Sequence, residues 1–382
     1  MLKKRPNVLF LASWFPNKTH STAGNFIQRH AEVANTIANV YVLFALPIEN
    51  QKSNFDIQNS VENDVYITRV YYRKVMHKIP LVHTFLKYKR YRKAMRVGEQ
   101  SIGKKFDFLH VNTFWFAGLA ALDISRSQKI PYLITEHWSG FLPQNNAFES
   151  ASFVMKTMTK RIFRKAKFVL PVSDDLGKSL QSRKLIDEFH CLANVVDTTL
   201  FKPNSTTKNE VYRFIHISTI DEAHKNFSGL LEAFSKVKYD FILEIITDGD
   251  LAEAQRKITA FGLSNKIELR GSSTQEEVAE ALQQANCLVQ FSNVETFSIV
   301  IAEAWSSGIP CVYAKCGGLT NIVNDKLGFQ IERGDVQGLQ QKIEDFIQHQ
   351  YEFDQQYIRS FAIEMFSEQK VRQQLEAIYK KM

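Results

Sequence analysis

Short apolar runs alternate with helix-period segments through both halves of this chain, and that alternation restricts its fold more than any other feature. Asn7–Ala12 is a continuous apolar run bounded by Pro and polar residues, as a strand buried on both faces requires. Asn25–Ala38 follows with Phe26, Ile27, Ala31, Val33, Ala34, Ile37 and Ala38 at helical spacing. Val40–Leu46, Phe108–Val111, Tyr132–Thr135 and Phe168–Val172 read as further strands, with the helix-like Phe116–Ile124 between two of them. Ser173 is placed to cap a helix from Asp174.

The second half repeats the pattern. Strands are predicted at Phe214–Ile217, Phe241–Thr247, Ile267–Leu269, Cys287–Phe291 and Pro310–Ala314. Helices are predicted at Phe227–Val237, Ala252–Phe261, Glu276–Gln284 and Ser298–Ser306. Alternation of this kind gives parallel, doubly wound α/β sheets, and 382 residues exceed what one core holds. The expectation is two Rossmann-like domains facing across a cleft: residues 1–197, then 198–355, with polar Asp197–Glu210 as linker. The tail 356–382 is amphipathic and is expected to be a helix returning to the first domain. Open sheets bind ligands beyond the carboxyl ends of their strands, so a shared cleft suits a reaction of two substrates.

Composition excludes several classes. With 45% hydrophobic and 23% charged residues, the chain is neither disordered nor fibrous. No apolar run reaches the roughly 18–20 residues that span a bilayer. Charges before Val8–Ala12 imitate a short signal peptide, but no small-residue cleavage pattern follows. Cys191, Cys287, Cys311 and Cys316 have no CxxC spacing and no histidine cluster nearby, so they read as small buried residues of a reducing cytoplasm. The net charge of +8 is uneven: Arg69–Lys105 holds twelve basic residues against Glu99 alone, and Lys156–Lys167 is a second group. Such a field is either a solvated helix face or an attractor of anionic membrane or acidic substrate. No nucleic-acid module accompanies it.

The chemistry concentrates in residues 291–310, FSNVETFSIVIAEAWSSGIP. A strand ends, a loop carries Glu295, and a helix opening near Phe297–Ser298 carries Glu303. The N–H groups of Thr296, Phe297 and Ser298 then form an unpaired helix start, a natural diphosphate site. Glu295, ahead of the helix, is placed for hydroxyls of one sugar. Glu303, nearly two turns in, is placed for hydroxyls of another, a ribose.

This segment resembles the E-x7-E signature of glycosyltransferase family 4, with Ser306-Ser-Gly-Ile-Pro310 and Gly317-Gly318 following in the family's order. The resemblance extends over nearly the whole chain. Ser13-Trp-Phe-Pro16 and Gly24 resemble the loop after the first strand, and Thr135-Glu-His137 the loop of the active-site histidine. Val172-Ser173 and Asn194-Val-Val-Asp197 with Phe201 resemble the approach to the linker, and Lys225-Asn226 the phosphate-binding lysine motif. The family implies the GT-B fold, retention at the anomeric carbon, a UDP- or GDP-sugar donor and no metal. It also implies a glycan or lipid-linked acceptor in polysaccharide or glycolipid synthesis. By that resemblance His137, Lys225 and Glu295 are catalytic. Gly24, Thr296, Phe297, Ser298, Glu303, Gly317 and Gly318 bind the donor. The expected location is the cytoplasm, with an anionic inner membrane face as a docking surface for Arg69–Lys105.

Two positions depart from the family. Ser218-Thr219 stands where Gly-Arg is usual, so either Lys225 and backbone donors suffice or another base, such as Arg270, substitutes. Asn321 stands where Glu is usual. A nucleotide-sugar epimerase, a silent nucleotide-sugar-binding protein and, on the basic region alone, a membrane-surface scaffold are the competing readings.

Overall fold

A computed structural model describes residues 5–20, 22–49, 51–204, 211–322, 324–349 and 351–382. The first domain runs β1 (Asn7–Ala12), α1 (Asn25–Asn35), β2 (Asn39–Ile48), β3 (Phe55–Glu62), β4 (Val65–Arg73), α2 (Pro80–Ile102) and β5 (Phe108–Asn112). It continues with α3 (Ala117–Gln128), β6 (Tyr132–Glu136), α4 (Phe153–Lys165), β7 (Phe168–Pro171) and α5 (Asp174–Ser182). Its seven-stranded sheet has the order β3-β4-β2-β1-β5-β6-β7, parallel except for the antiparallel β3–β4 pair.

The second domain runs β8 (Tyr212–Ile217), α6 (Glu222–Lys225), α7 (Phe227–Ser235), β9 (Phe241–Ile246), α8 (Leu251–Ala260), β10 (Ile267–Arg270) and α9 (Gln275–Gln284). Next come β11 (Cys287–Gln290), α10 (Ile299–Ser306), β12 (Cys311–Ala314), β13 (Gly328–Ile331) and α11 (Val336–Ile347). Its all-parallel sheet has the order β10-β9-β8-β11-β12-β13. Strand order reverses between β1 and β5 in one sheet and between β8 and β11 in the other. The loops that leave these strands form the facing walls of the cleft, as the switch-point rule requires.

The central strands β1, β5, β6, β11 and β12 are buried almost throughout, which is why they read as unbroken apolar runs. Ser173 caps α5 as expected, its Oγ accepting the N–H of Leu176 at 3.4 Å. The hairpin and α2 escaped the sequence reading. β3 is an edge strand with no fully buried residue, so it offers no apolar run. The signal was the two-residue turn Asn63-Asp64, both at positive φ as a hairpin twist demands. In α2 the buried stripe Tyr91, Ala94, Met95, Gly98 and Ile102 is diluted by the cations between its members.

The expected single tail helix is two. α12 (Gln355–Phe366) lies against α10 of the second domain, and α13 (Glu368–Tyr379) lies against α1 of the first. They break at Ser367, whose side chain caps α13. Here the chain crosses between domains beside its first crossing: Val196 N–H donates to Phe366 O at 3.0 Å, and Val196 pairs with Ser367. The expected linker, Asp197–Glu210, lies partly outside the described residues. Its described part is anchored: Phe201 is fully buried, and its carbonyl accepts from Ser306 Oγ at 2.7 Å and Arg359 Nη1 at 2.9 Å. All four cysteines are free. Among the described residues no helix is long and apolar enough to cross a membrane.

Candidate active site

A cleft of about 470 Å³ separates the two domains. On the second domain's side it is lined by loops leaving β8, β9, β10 and β11, including Ser218, Thr219, Lys225, Thr247, Ser272, Ser273 and residues 295–300. Lys225 ends α6, and its Nζ meets Glu295 Oε1 at 2.6 Å. The same oxygen accepts from Ser292 Oγ at 2.8 Å. Helix α10 begins at Ile299, one or two residues later than predicted. Ser298 caps it at φ 66°, ψ 74°, a left-handed conformation that costs a residue with a Cβ on the order of 1 kcal/mol or more. Among the described residues, the N–H groups of Thr296, Phe297 and Ser298 meet no backbone acceptor.

Gly317 and Gly318 do not line this wall; they support it from behind. A Cβ on Gly317 would stand 2.5 Å from Glu295 O, and one on Gly318 2.8 Å from Phe297 O. The loop leaving β12 therefore lies directly on the Glu295 loop, and Glu295 N–H donates to Cys316 O at 3.1 Å.

The first domain contributes Trp14, Thr22, Phe26, His137, Ser139 and Asn194. His137 is 5% exposed, its ring 4.6 Å from that of Phe26 and 5.7 Å from that of His30. The loop that carries it is fixed by Glu136, which is completely buried without a cation. One carboxylate oxygen accepts the N–H groups of His137 (3.0 Å) and Trp138 (2.8 Å), the other that of Phe114 (3.0 Å). Burial pushes the Glu136 pKa up to about 7 against the pull of those three donors.

Buried polar atoms in native proteins are nearly always hydrogen-bonded. Among the described residues, three of the thirteen buried side-chain atoms that lack a hydrogen-bond partner belong to residues lining this cleft: His137 Nε2, Asn194 Oδ1 and Ser298 Oγ. Both walls therefore carry hydrogen-bonding capacity that a ligand could meet. In the sequence Asn194 stands only in the approach to the linker; a polar residue between buried Leu192 and Val195 is the available signal.

Gly24, between Thr22 and Phe26 in the chain, is not itself among the residues lining the cleft; its φ is 69°. Its requirement for glycine comes from its own loop, because a Cβ would lie 2.7 Å from the carbonyl of Trp14. Glu303 is buried one turn beyond Val300 and ion-paired with Arg29 of α1 at 3.1 Å, outside the cleft lining itself. Thr219 lines the cleft, but Arg270 does not take the place of the family's arginine. Its guanidinium is half exposed and lies 3.0 Å from Oε1 of buried Glu244. Among the described residues that line the cleft, Lys225 is the one lysine or arginine. Asn321 donates to Asp175 Oδ1 at 2.8 Å and Asp174 Oδ2 at 3.2 Å, across the domains. A glutamate there would meet two carboxylates, which accounts for the departure. Among the described residues no group of three or more His, Cys, Asp and Glu is arranged to hold a metal ion.

Four buried histidines carry a pH signature. Burial holds His30 and His216 near pKa 4 and drives His110 and His137 well below their ordinary value. Unfolded histidines bind protons below about pH 6.5 and these do not, so stability is full above that pH and falls as pH drops toward 4. For His30 and His216 the shift corresponds to about 3 kcal/mol each at pH 4. Buried Glu136, whose pKa is raised, offsets part of the loss over the same range. Thermal melts should show Tm falling between pH 6.5 and 4, with a shallower slope in His30→Asn. An unchanged slope in that variant would mean His30 is already charged in the fold.

Two parallel-sheet domains, a cleft at both switch points and a lysine–glutamate pair beside an open helix start define a GT-B glycosyltransferase. Solved structures agree on the fold: sucrose-phosphate synthase from Thermosynechococcus elongatus superposes with TM-score 0.77 at 17% identity, covering 99% of both chains. Anabaena HepE in complex with UDP-glucose superposes with TM-score 0.73 at 16% identity, covering 99% of this chain and all of that one. Residues 49–200 match the family described as Glycosyltransferase Family 4, and residues 198–361 match Glycosyl transferases group 1. The chain belongs to the GT-B glycosyltransferases of the family 4 type.

Among sequence relatives, an uncharacterized glycosyltransferase of Methanocaldococcus jannaschii is 24% identical over 75% of this chain and 79% of its own length. The MMP alpha-(1->4)-mannosyltransferase of Mycolicibacterium hassiacum is 28% identical over 59% and 56%. The N-acetyl-alpha-D-glucosaminyl L-malate synthase of Bacillus anthracis is 25% identical over 52% and 58%. The matches to these last two span a little over half of their lengths.

Proposed function

We propose that this glycosyltransferase takes a sugar from a UDP- or GDP-activated donor and transfers it, with retention and without a metal, to a glycan or lipid-linked acceptor of polysaccharide or glycolipid synthesis. The observation that carries the reading is Lys225 paired with Glu295 at 2.6 Å beside the open amides of residues 296–298, across the cleft from His137. Amides at a helix start and one ammonium suit a diphosphate. Glu295 would accept hydrogen bonds from donor-sugar hydroxyls, and Glu303 from those of the ribose. HepE, solved with UDP and with UDP-glucose, supports the UDP alternative.

What supports retention is the place of Glu295: Lys225 Nζ and Ser292 Oγ both donate to its Oε1 on the wall proposed to hold the donor, a placement that suits gripping the donor rather than serving as base for an acceptor. In the proposed step the acceptor oxygen bonds to the anomeric carbon on the face from which the diphosphate departs. The C–O bond to the diphosphate breaks, and a phosphate oxygen receives the acceptor's proton. The protein contributes position and charge stabilisation. Purified protein should be stabilised by UDP- or GDP-sugars, by about 2.7 kcal/mol at a hundredfold excess over Kd. NMR of the product should show the donor's anomeric configuration. An inverted product sinks the mechanism; no stabilisation by either nucleotide class sinks the donor assignment.

An anionic surface is proposed to present the acceptor. Arg69 does not belong to it, since its guanidinium is buried in a two-bond pair with Glu62. The exposed face of α2 instead aligns Lys89, Arg92, Lys93 and Arg96 at i, i+3, i+4 and i+7. At its cleft end Met76, Ile79 and Phe85 are 74%, 56% and 62% exposed. Co-sedimentation with phosphatidylglycerol vesicles should exceed that with phosphatidylcholine at least tenfold, and K89E/K93E/R96E should abolish the difference. Equal binding to both vesicles refutes the surface.

A further inference from the structure

The ion pair between Arg29 and Glu303 joins the two domains. Arg29 lies on α1, three residues beyond Phe26, which lines the cleft; Glu303 lies on α10, three beyond Val300, which lines it from the other side. Residues three apart share a helix face, so both helices point into the cleft with one turn and meet with the next. Arg29 Nη1 is 3.1 Å from Glu303 Oε1 and 3.2 Å from Val195 O, on the segment where the chain first crosses between domains. The side chains are 14% and 4% exposed. Asp197, Glu32 and Glu368 stand in the same electrostatic neighbourhood.

A carboxylate this deeply buried is expensive to keep charged, and burial does push the Glu303 pKa up while Arg29 opposes it. Only the charged form accepts at both oxygens, as two neighbouring hydroxyls require. Arg29 engages Oε1 from the opposite domain, so the orientation of the carboxylate depends on the angle between domains at the hinge.

We propose that Arg29 is a positioning residue that holds the Glu303 carboxylate for the nucleoside hydroxyls of the donor and so links donor binding to the seating of one domain on the other. The proposal rests on the assignment of Glu303 to those hydroxyls. A purely structural role for Arg29 would lower stability and leave hydroxyl recognition intact.

Calorimetry on the full chain separates these roles, with UDP and GDP and their 2′,3′-dideoxy counterparts as probes. The readout is the ratio of dissociation constants between dideoxy and ribo forms for whichever base binds. Wild type should favour the ribo form. Arg29→Met should lose about tenfold of that preference, the worth of a hydrogen bond to a charged group. Arg29→Lys should recover most of it, and donor KM should change more than kcat. Arg29→Gln, which can still donate to Val195 O, replaces Arg29→Met if the latter melts too low to assay. If Glu303→Gln loses the preference while the neutral Arg29 variants keep it, the inference is wrong and the ribose assignment stands. If Glu303→Gln keeps the wild-type preference, the ribose assignment fails and takes the inference with it.

Discussion

Replacing Glu295 with Ala should lower transfer by about 10³-fold or more while leaving the protein folded. The carboxylate is 11% exposed and receives Lys225 Nζ at 2.6 Å and Ser292 Oγ at 2.8 Å, so it has one cation and one hydroxyl to release. In the proposed complex Lys225 turns to the diphosphate and Glu295 grips the sugar being transferred. Its loss removes interactions made at the reacting centre, where single preorganised groups are typically worth 10²–10³ in rate. Stability should change little, because Lys225 is 23% exposed and water can take up its ammonium. The loop's shape is kept by the backbone bond to Cys316 and by the glycines behind it. The check is kcat/KM with the donor identified by thermal shift, alongside Tm. A variant within tenfold of wild type would remove Glu295 from the site. Glu295→Gln should retain part of the grip and fall between.

Lys225→Met should cost about 10²–10³ in kcat/KM, and the missing arginine is the reason for so large an effect. The family's second cation is absent at Thr219, Arg270 is engaged at Glu244, and among the described lining residues Lys225 alone brings a lysine or arginine charge to the cleft. Charge grows on the diphosphate as it leaves, so the loss should appear in kcat more than in donor KM. Lys225→Arg should restore a fraction, since a guanidinium carries the charge in a wider, planar head. Placing Arg at position 219 in the Lys225→Met background should recover more than tenfold if the departure at Ser218-Thr219 is what concentrates the task on Lys225. No recovery would assign that task to the backbone amides.

How much of this was legible beforehand differs by element. The buried strands and the helices beside them were readable because parallel strands covered on both faces leave unbroken apolar runs. The hairpin was not, since an edge strand needs no such run. The two-helix tail was not, since its break at Ser367 is set by pairing with Val196, a contact between residues 171 positions apart. Lys225 and Glu295 were readable as motif residues, but their pairing was not. The bracing of His137 by Glu136, the unpartnered Asn194 and the Arg29–Glu303 bridge were not.

By itself the sequence determined the two α/β domains and the helix start with an acid before it and an acid within it. Both are local facts, set by side-chain periodicity and by the unpaired amides that every helix start carries. The tertiary structure decided which groups meet across the cleft, which cations are already engaged within the protein, and that the second acid leans on the opposite domain. Those outcomes depend on distances between residues remote in the chain, which periodicity and spacing do not encode.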